Sequence, residues 1–240
     1  QDERVRYIRH ETNKGHIANY NFGIEASRGE WLWCLSADDA LASPDILKRF
    51  ITVMDAHPEV GLLFCRAQCM DGDSQPYEKW VPRQNYGLLS DVSTIYEPLA
   101  FYKKILQENF VPVASALARR EAYEKVGLYH PRLTHSGDWF LWMQFCLDWH
   151  VYYEPEALVY YRLHQSNMHR TYENKQHAVD NSIACYEELL AYLERHEYGH
   201  QMKLLATLAL IRYKRKHERS LDTREQFLHS VVRPFVSLNH

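Results

Sequence analysis

Apolar runs of strand length alternate with segments of helical period along much of this sequence, and that alternation limits the fold more than any other feature. Residues 31–35 and residues 60–64 are continuous apolar runs, which are typical of strands buried on both faces of a sheet. Between them, residues 43–45 (Ser-Pro-Asp) combine the capping hydroxyl, early proline and early acid of a helix start. The alternation predicts an α/β sheet that contains parallel strand pairs.

Less regular patterns predict the secondary structure of much of the remaining chain. Residues 5–8 predict a short strand, and a helix with an apolar face begins near Ile17 and stops at Gly29. Residues 71–94 have no period and predict a long functional loop. The further predicted elements are helices at residues 97–108, 120–126 and 138–148 and strands at residues 113–117 and 157–163.

The hydrophobic period changes after about residue 170. Apolar residues there step by four and three positions, as in a heptad seam, and a second helix follows around residues 204–211. We therefore predict a sheet domain at residues 1–168 and a helical C-terminal extension at residues 169–240. The seam could join two copies into a homodimer, although packing of so short a repeat on the sheet domain is the favoured alternative.

Composition and charge bear on the partners and the compartment. The 240 residues have a formal net charge of −3, so the basic footprint of a nucleic-acid-binding protein is missing. Five cysteines with no paired motif predict free thiols in a reducing cytoplasm. The strongly basic run at residues 212–219 could touch anionic lipid at the inner face of the membrane, while a solvated helix end is the alternative.

Asp38 and Asp39 follow the apolar run at residues 31–35. The end of a strand beside a sheet crevice is where open α/β sheets bind ligands, and paired carboxylates there suit a hard divalent cation. Oxygen ligands favour Mg²⁺ or Mn²⁺ over zinc. A solvated turn before the next helix is the alternative.

Two further segments could contribute chemistry. Asp138 begins an aromatic-rich helix, where partial desolvation would raise its pKa and make it a better general base, although it could merely cap the helix. Arg162 and His164 end a tyrosine-rich strand, and the pair could bind a departing diphosphate. A surface strand with alternating polar residues is the alternative for that segment.

The order of these segments resembles family 2 glycosyltransferases. The motif N-K-G at residues 13–15, the helix motif that contains Asn21, and the acids at residues 38–39 are similar to the family's sequence up to its DxD metal motif. The motif G-D-W-F-L-W at residues 137–142 looks like the family's E-D-x-x-L segment, and Y-R-L-H at residues 161–164 looks like its Y-R-x-H strand. The resemblance covers about residues 4–168.

This resemblance implies a GT-A fold, in which helices flank a mixed sheet, and an inverting transfer from a nucleotide-diphosphate sugar with Mn²⁺ or Mg²⁺. Asp38 and Asp39 would then position the metal on the diphosphate, and Asp138 would deprotonate the acceptor hydroxyl. Asn21 would bind the donor, while Arg162 and His164 would steady the leaving diphosphate.

The resemblance leaves the acceptor open. A glycan or polysaccharide, a lipid-linked glycan and a protein are all candidate acceptors. Trp80 and Tyr86 are the residues predicted to face the acceptor.

Three departures from the family pattern affect the prediction. Ser36 stands where the family has the first acid of its DxD motif, and Gly137 replaces a glutamate. The family's first strand, helix and second strand, which hold the nucleotide base, do not precede Val5 in this sequence. We therefore expect this chain alone to bind a donor poorly and to be inactive by itself. The alternatives are a non-catalytic binding module of the same fold and, as a third class, a metal-dependent phosphohydrolase.

Overall fold

Two long parallel strands form the centre of the sheet in the computed structural model, which describes residues 2–80, 86–164, 175–223, 225–226 and 228–229. Strand β3 pairs with β7 from Val60 opposite His150 to Met70 opposite Arg162. All but two residues of β3 are buried. A strand with both faces covered needs apolar side chains on both faces, which is why its sequence reads as a continuous apolar run.

Five shorter strands complete a mixed seven-stranded sheet in the order β1-β6-β3-β7-β2, with β4 paired to β3 and β5 paired to β7. Only the β3–β7 pair is parallel among the described pairs. The strands are β1 (Trp31–Trp33), β2 (Ala40–Leu41), β3 (Val60–Met70), β4 (Pro76–Trp80), β5 (Thr94–Tyr96), β6 (Ala116–Arg119) and β7 (His150–Arg162).

Helices cover both faces of the sheet. Leu62 and Phe64 of β3 point into one core with the aromatic helix α5, whereas Leu63 and Cys65 point into a second core with α2. This division follows from the alternation of side chains along a strand. The helices are α1 (His16–Ala26), α2 (Ile46–Ala56), α3 (Pro98–Ile105), α4 (Arg120–Val126), α5 (Gly137–Phe145), α6 (Lys175–Arg195) and α7 (His200–Lys216), with 3-10 turns at Tyr86–Leu88 and Val113–Ser115.

The predicted α/β fold with a helical C-terminal region is confirmed, and the helices of that region pack on the rest of the chain. Tyr186 and Leu193 of the predicted seam are buried in the same core as α5. The Tyr186 hydroxyl donates to the Leu106 carbonyl oxygen at 2.6 Å, and its ring lies 5.1 Å from that of Trp139. The favoured alternative for the seam therefore describes this structure, while the domain boundary at residues 168 and 169 stays a prediction.

Two expectations about local structure are wrong. Residues 5–8 form no strand, because no strand in the described part of the chain lies beside them, and Val5 and Tyr7 are exposed. Residues 71–94 are not one loop, since a turn after Met70 leads into β4 and β5 begins at Thr94. Strand β4 adds to an edge already made by β3, so tertiary pairing rather than its own weak pattern defines it.

Two of the five Lys and Arg residues in the basic run at residues 212–219 form ion pairs within the described part of the chain. Lys214 lies 2.9 Å from Glu225, and Arg219 lies 2.6 Å from Asp180. These contacts favour the solvated helix end over a lipid-binding patch. No helix among the described residues is both long and apolar enough to span a bilayer.

Gly61 of β3 lies directly against an aromatic ring. A Cβ atom at this position would stand 2.5 Å from Cγ and 2.6 Å from Cβ of Trp149, so the clash involves the rigid base of the side chain. We expect Gly61→Ala to lower the free energy of unfolding by about 1 to 3 kcal/mol through overpacking. Urea denaturation followed by circular dichroism measures this loss.

Gly23→Ala is the matched control for Gly61→Ala. It lies in α1, where an added Cβ meets no atom within 4 Å. Alanine is the better helix former, so this substitution should leave stability unchanged or raise it by up to about 1 kcal/mol. Equal effects of the two substitutions would contradict the packing argument.

Candidate active site

The two adjacent acids lie in the turn that connects β1 to β2. The amide of Asp39 donates to the Ser36 carbonyl oxygen at 3.1 Å, which closes the turn. Strand β2 then pairs antiparallel with β7, with Ala40 opposite Tyr160. This pairing places the acids beside the C-terminal end of β7.

The end of β7 holds both carboxylates by hydrogen bonds. The Arg162 amide donates to Asp39 Oδ1 at 3.0 Å, and His164 Nε2 lies 3.0 Å from Asp38 Oδ2. Asp38 and His164 are both partly exposed, at 39% and 30% of their side-chain surface. Four of the residues predicted from sequence therefore come together, although more than 120 positions separate the acids from their partners.

The Arg162 side chain binds the protein itself. Its Nε donates to the Asp38 carbonyl oxygen at 2.7 Å, and its Nη1 donates to the Asp71 carbonyl oxygen at 2.9 Å and to Ser74 Oγ at 2.9 Å. The guanidinium thus joins the turn of the acids to the turn between β3 and β4. Its predicted contact with a diphosphate stays a prediction beside this structural role.

Burial dominates the electrostatics of Asp39. It raises the pKa of Asp39 to about 6, with a smaller contribution from the neighbouring Asp38 charge, while the Arg162 amide and the charges of Arg162 and His164 oppose the rise. Burial of a carboxylate disfavours its charged form, so a bound cation would be the natural compensation.

The pair of acids is a sparse set of metal ligands. Across the described ranges, no group of three or more His, Cys, Asp or Glu side chains could hold a metal ion. Two carboxylates nevertheless fit Mg²⁺ or Mn²⁺, because such ions commonly take one or two protein carboxylates and complete their shell with phosphate oxygens and water. Metal binding by Asp38 and Asp39 stays a prediction.

Asp138 lies in the first turn of α5, where its carboxylate accepts two hydrogen bonds. The Trp139 amide donates to Oδ1 at 2.8 Å, and Asn109 Nδ2 donates to Oδ2 at 3.0 Å. Burial raises the pKa of Asp138 to about 6, although both hydrogen bonds favour the ionised form. A carboxylate with this pKa is ionised at neutral pH and is a better proton acceptor than an exposed aspartate.

Asp138 and the acidic pair both influence the pKa values of two tyrosines, Tyr161 and Tyr20. The pKa of Tyr161 is raised mainly by burial and further by the charges of Asp39, Asp38 and Asp138. Burial also raises the pKa of Tyr20, with smaller contributions that include Asp138 and Asp39, and its hydroxyl lies 3.3 Å from Ser36 Oγ. The charges of Asp39 and Asp138 therefore both act on these two tyrosines, of which Tyr20 packs against the core that contains α5 and Tyr161 against the core that contains α2.

Asn21 is committed to the protein backbone. Its Nδ2 donates to the Tyr129 carbonyl oxygen at 2.9 Å, and its Oδ1 accepts from the Tyr129 amide at 2.9 Å. These two hydrogen bonds connect α1 to the segment between α4 and α5. Donor binding by Asn21 stays a prediction, and the contacts assign the side chain a structural role.

The glycine before Asp138 has a packing reason. A Cβ atom at Gly137 would stand 3.3 Å from Ile17 Cδ1 and 3.6 Å from Tyr129 Cδ1, so a larger residue there would need the Ile17 side chain to shift by a few tenths of an ångström. Helix α1 therefore packs closely where the family pattern has a longer side chain.

The predicted acceptor residues receive no support from the structure. The Tyr86 side chain is buried, and its hydroxyl accepts a hydrogen bond from the Ala67 amide at 3.2 Å. The side chain of Trp80 lies outside the described residues.

Sequence reasoning missed Asn109. It lies in the segment after α3, which has no periodic pattern, and 29 positions separate it from its partner Asp138. A lone asparagine in such a segment carries no signal of its own, and only the contact with the carboxylate identifies it.

The hydrogen bonds that Arg162 makes to two turns should contribute to the free energy of unfolding. Arg162→Lys keeps the charge but cannot reach three acceptors in two turns, so we expect a loss of about 2 kcal/mol in unfolding free energy. Arg49→Lys is the control, because Arg49 is 45% exposed and pairs with Glu156 at the surface. Thermal and urea unfolding measure both, and equal losses would contradict the structural role.

Comparison with known proteins agrees with this fold. A family model described as glycosyl transferase family 2 matches residues 1–127. The chain is 29% identical over 201 residues to a Bacillus subtilis protein named as a glycosyltransferase, EpsH. That match covers 80% of this chain and 54% of the Bacillus protein. The chain is 22% identical over 216 residues to an uncharacterized glycosyltransferase of Haemophilus influenzae, covering 88% of this chain and 63% of that protein.

An uncharacterized protein of Mycobacterium tuberculosis is 25% identical over 173 residues, covering 71% of this chain and 46% of that protein. The chain thus spans about half the length of the curated relatives it matches. The family match contains Asp38 and Asp39 and stops before Asp138. Since that match covers more than half of the 240 residues, the chain belongs to glycosyl transferase family 2.

Proposed function

We propose that the protein containing this chain transfers a sugar from a nucleotide-diphosphate donor to an acceptor hydroxyl, with inversion at the anomeric carbon and with Mn²⁺ or Mg²⁺. The product would be a glycan or polysaccharide. Family membership supports the class of reaction. The single observation that carries the site is the hydrogen bonding of Asp38 to His164 and of Asp39 to the Arg162 amide at the end of β7.

Asp138 is the proposed general base. Two fixed donors orient its carboxylate, and burial keeps it more basic than an exposed aspartate. The acceptor hydroxyl would give its proton to Asp138 while its oxygen attacks the anomeric carbon. The bond from that carbon to the diphosphate oxygen breaks in the same step, and the nucleoside diphosphate leaves with the bonding electrons. A single displacement of this kind inverts the anomeric carbon.

Asp38 and Asp39 are the proposed metal ligands. When bound, a divalent cation would neutralise charge on the diphosphate and so favour its departure. His164 and the Arg162 amide would keep the two carboxylates in place through the hydrogen bonds described above.

The proposal extends to the roles of the two chain regions and to the cellular location. We infer that residues 1–168 supply the chemistry and that the helices α6 and α7 of the C-terminal extension support α5. A cytoplasmic location is consistent with five cysteines that form no disulfide among the described residues. Association with the membrane or between two copies is not part of the proposal, because residues of the seam are buried in the core and Lys214 and Arg219 of the basic run form ion pairs within the chain.

A non-catalytic binding module is the second candidate. Arg162 is engaged with main-chain acceptors, and Ser36 contacts Tyr20 in place of the family's first acid. Such a module could still bind a nucleotide sugar, but it would have no use for a deprotonated Asp138. A substitution of Asp138 therefore distinguishes the enzyme from the binding module.

Asp138→Asn should lower transfer by about 10²- to 10⁴-fold, the usual contribution of a general base. The assay measures nucleoside diphosphate released by the intact protein from UDP-, GDP- and dTDP-sugars, offered with MnCl₂ and the glycolipid fraction of producing cells. Asp55→Asn is the control, since Asp55 is an exposed carboxylate of α2 on the other side of the sheet. Full activity in Asp138→Asn would exclude this mechanism.

The rate should depend on pH in the direction that a base requires. Because burial raises the pKa of Asp138 to about 6, kcat/KM should fall about tenfold per pH unit below that value and level off above it. Saturating MnCl₂ keeps Asp39 ionised during the measurement. A profile that is flat through pH 6, or that falls as the pH rises through 6, would contradict the assignment.

A further inference from the structure

We propose that Asn109 is a positioning residue for Asp138, which fixes the orientation of the carboxylate and favours its ionised form. This inference rests on the proposed function, because it gives a role to the base named there. Its direct support is the hydrogen bond from Asn109 Nδ2 to Asp138 Oδ2 at 3.0 Å. The opposite end of the same amide, Oδ1, accepts from the Val111 amide at 3.2 Å, so the side chain is held at both ends.

The segment around Asn109 is anchored in the core. Phe110 and Val111 follow it and are buried, and the ring of Phe110 lies 5.7 Å from that of Phe101 in α3. The donor is therefore presented by backbone that buried neighbours fix. A donor fixed in this way orients a carboxylate without the reorganisation that a mobile water molecule would need.

An uncharged donor suits a base better than a cation would. An arginine or lysine beside Asp138 would lower the pKa of the carboxylate by about 1 to 3 units and weaken it as a proton acceptor. The Asn109 amide orients the carboxylate while burial keeps its pKa at about 6. Asn109 thus combines fixed geometry with retained basicity.

Four titratable groups on surrounding elements respond to the charge of Asp138, and burial raises the pKa of each one, so these four are uncharged near neutral pH. They are Tyr20 of α1, Tyr129 after α4, Tyr161 of β7 and Cys185 of α6. Hydrogen bonds from the Asn109 amide and from backbone amides are the described contacts that favour the charged form of Asp138. Loss of the Asn109 donor should therefore raise the pKa of the base.

Two substitutions test this role in a graded order. Asn109→Ala removes the donor and should move the acid limb of the kcat/KM profile upward by about one pH unit. That shift would lower kcat/KM about fivefold at pH 6, about tenfold well below pH 6, and very little at pH 8. Asn109→Asp keeps the shape of the side chain but places a second carboxylate against Asp138, so it should move the limb further upward.

Asn181→Ala is the structural control. The Asn181 side chain is buried, and its Oδ1 accepts from the Ser136 amide at 3.0 Å without touching Asp138 in the described contacts. It should lower the melting temperature and leave the acid limb in place. An Asn109 variant that lowers the melting temperature with an unmoved limb would have only a structural role, which would overturn the proposal.

A second measurement keeps the inference independent of turnover. This measurement follows the ¹³Cγ signal of Asp138 against pH in ¹³C-aspartate-labelled protein, and the signal is assigned by its absence in Asp138→Asn. Its titration midpoint should lie at a higher pH in Asn109→Asp than in the parent. Equal midpoints would overturn the role of Asn109. Activity in Asp138→Asn would instead overturn the proposed function, whereas an inactive Asp138→Asn together with unmoved Asn109 profiles would reject the Asn109 proposal alone.

Discussion

The parallel pairing of β3 and β7 is the interaction on which the rest of the structure depends. It places Met70, where the β3–β4 turn begins, opposite Arg162, where β7 ends. The same strand β7 carries β2 on its other side, and β2 follows directly from the acidic turn. One strand thus gathers three chain segments at one end of the sheet. A register shift of one residue would turn Arg162 to the opposite face and remove the site.

The site has an electrostatic cost that the fold tolerates. Burial raises the pKa of both Asp39 and Asp138 to about 6, which means that their ionised forms are disfavoured in the folded protein. Their folded pKa values exceed the unfolded ones, so these two groups reduce stability as the pH rises from about 4 through 6. Buried carboxylates with raised pKa values are common at functional sites.

The departures from the family pattern have local physical explanations. Ser36 is close enough to contact the Tyr20 hydroxyl, so the position of the missing acid is filled by a neutral polar contact. Gly137 lies close to Ile17, which would have to shift slightly to admit a side chain at this position. Both changes lie against α1.

The sequence by itself determined the elements whose signals are local. The helices at His16–Ala26, Ile46–Ala56 and Arg120–Val126 follow from their spacing and stop signals, and the acids at 38, 39 and 138 were recognisable from motif order. Only the tertiary structure decided that β4 and β5 are strands, that Arg162 and Asn21 bind backbone groups, and that Asn109 reaches Asp138. The reason is physical: helical period and turn chemistry act between neighbours in sequence, whereas strand pairing and side-chain hydrogen bonds depend on which distant segments the packed sheet brings within about 3 Å.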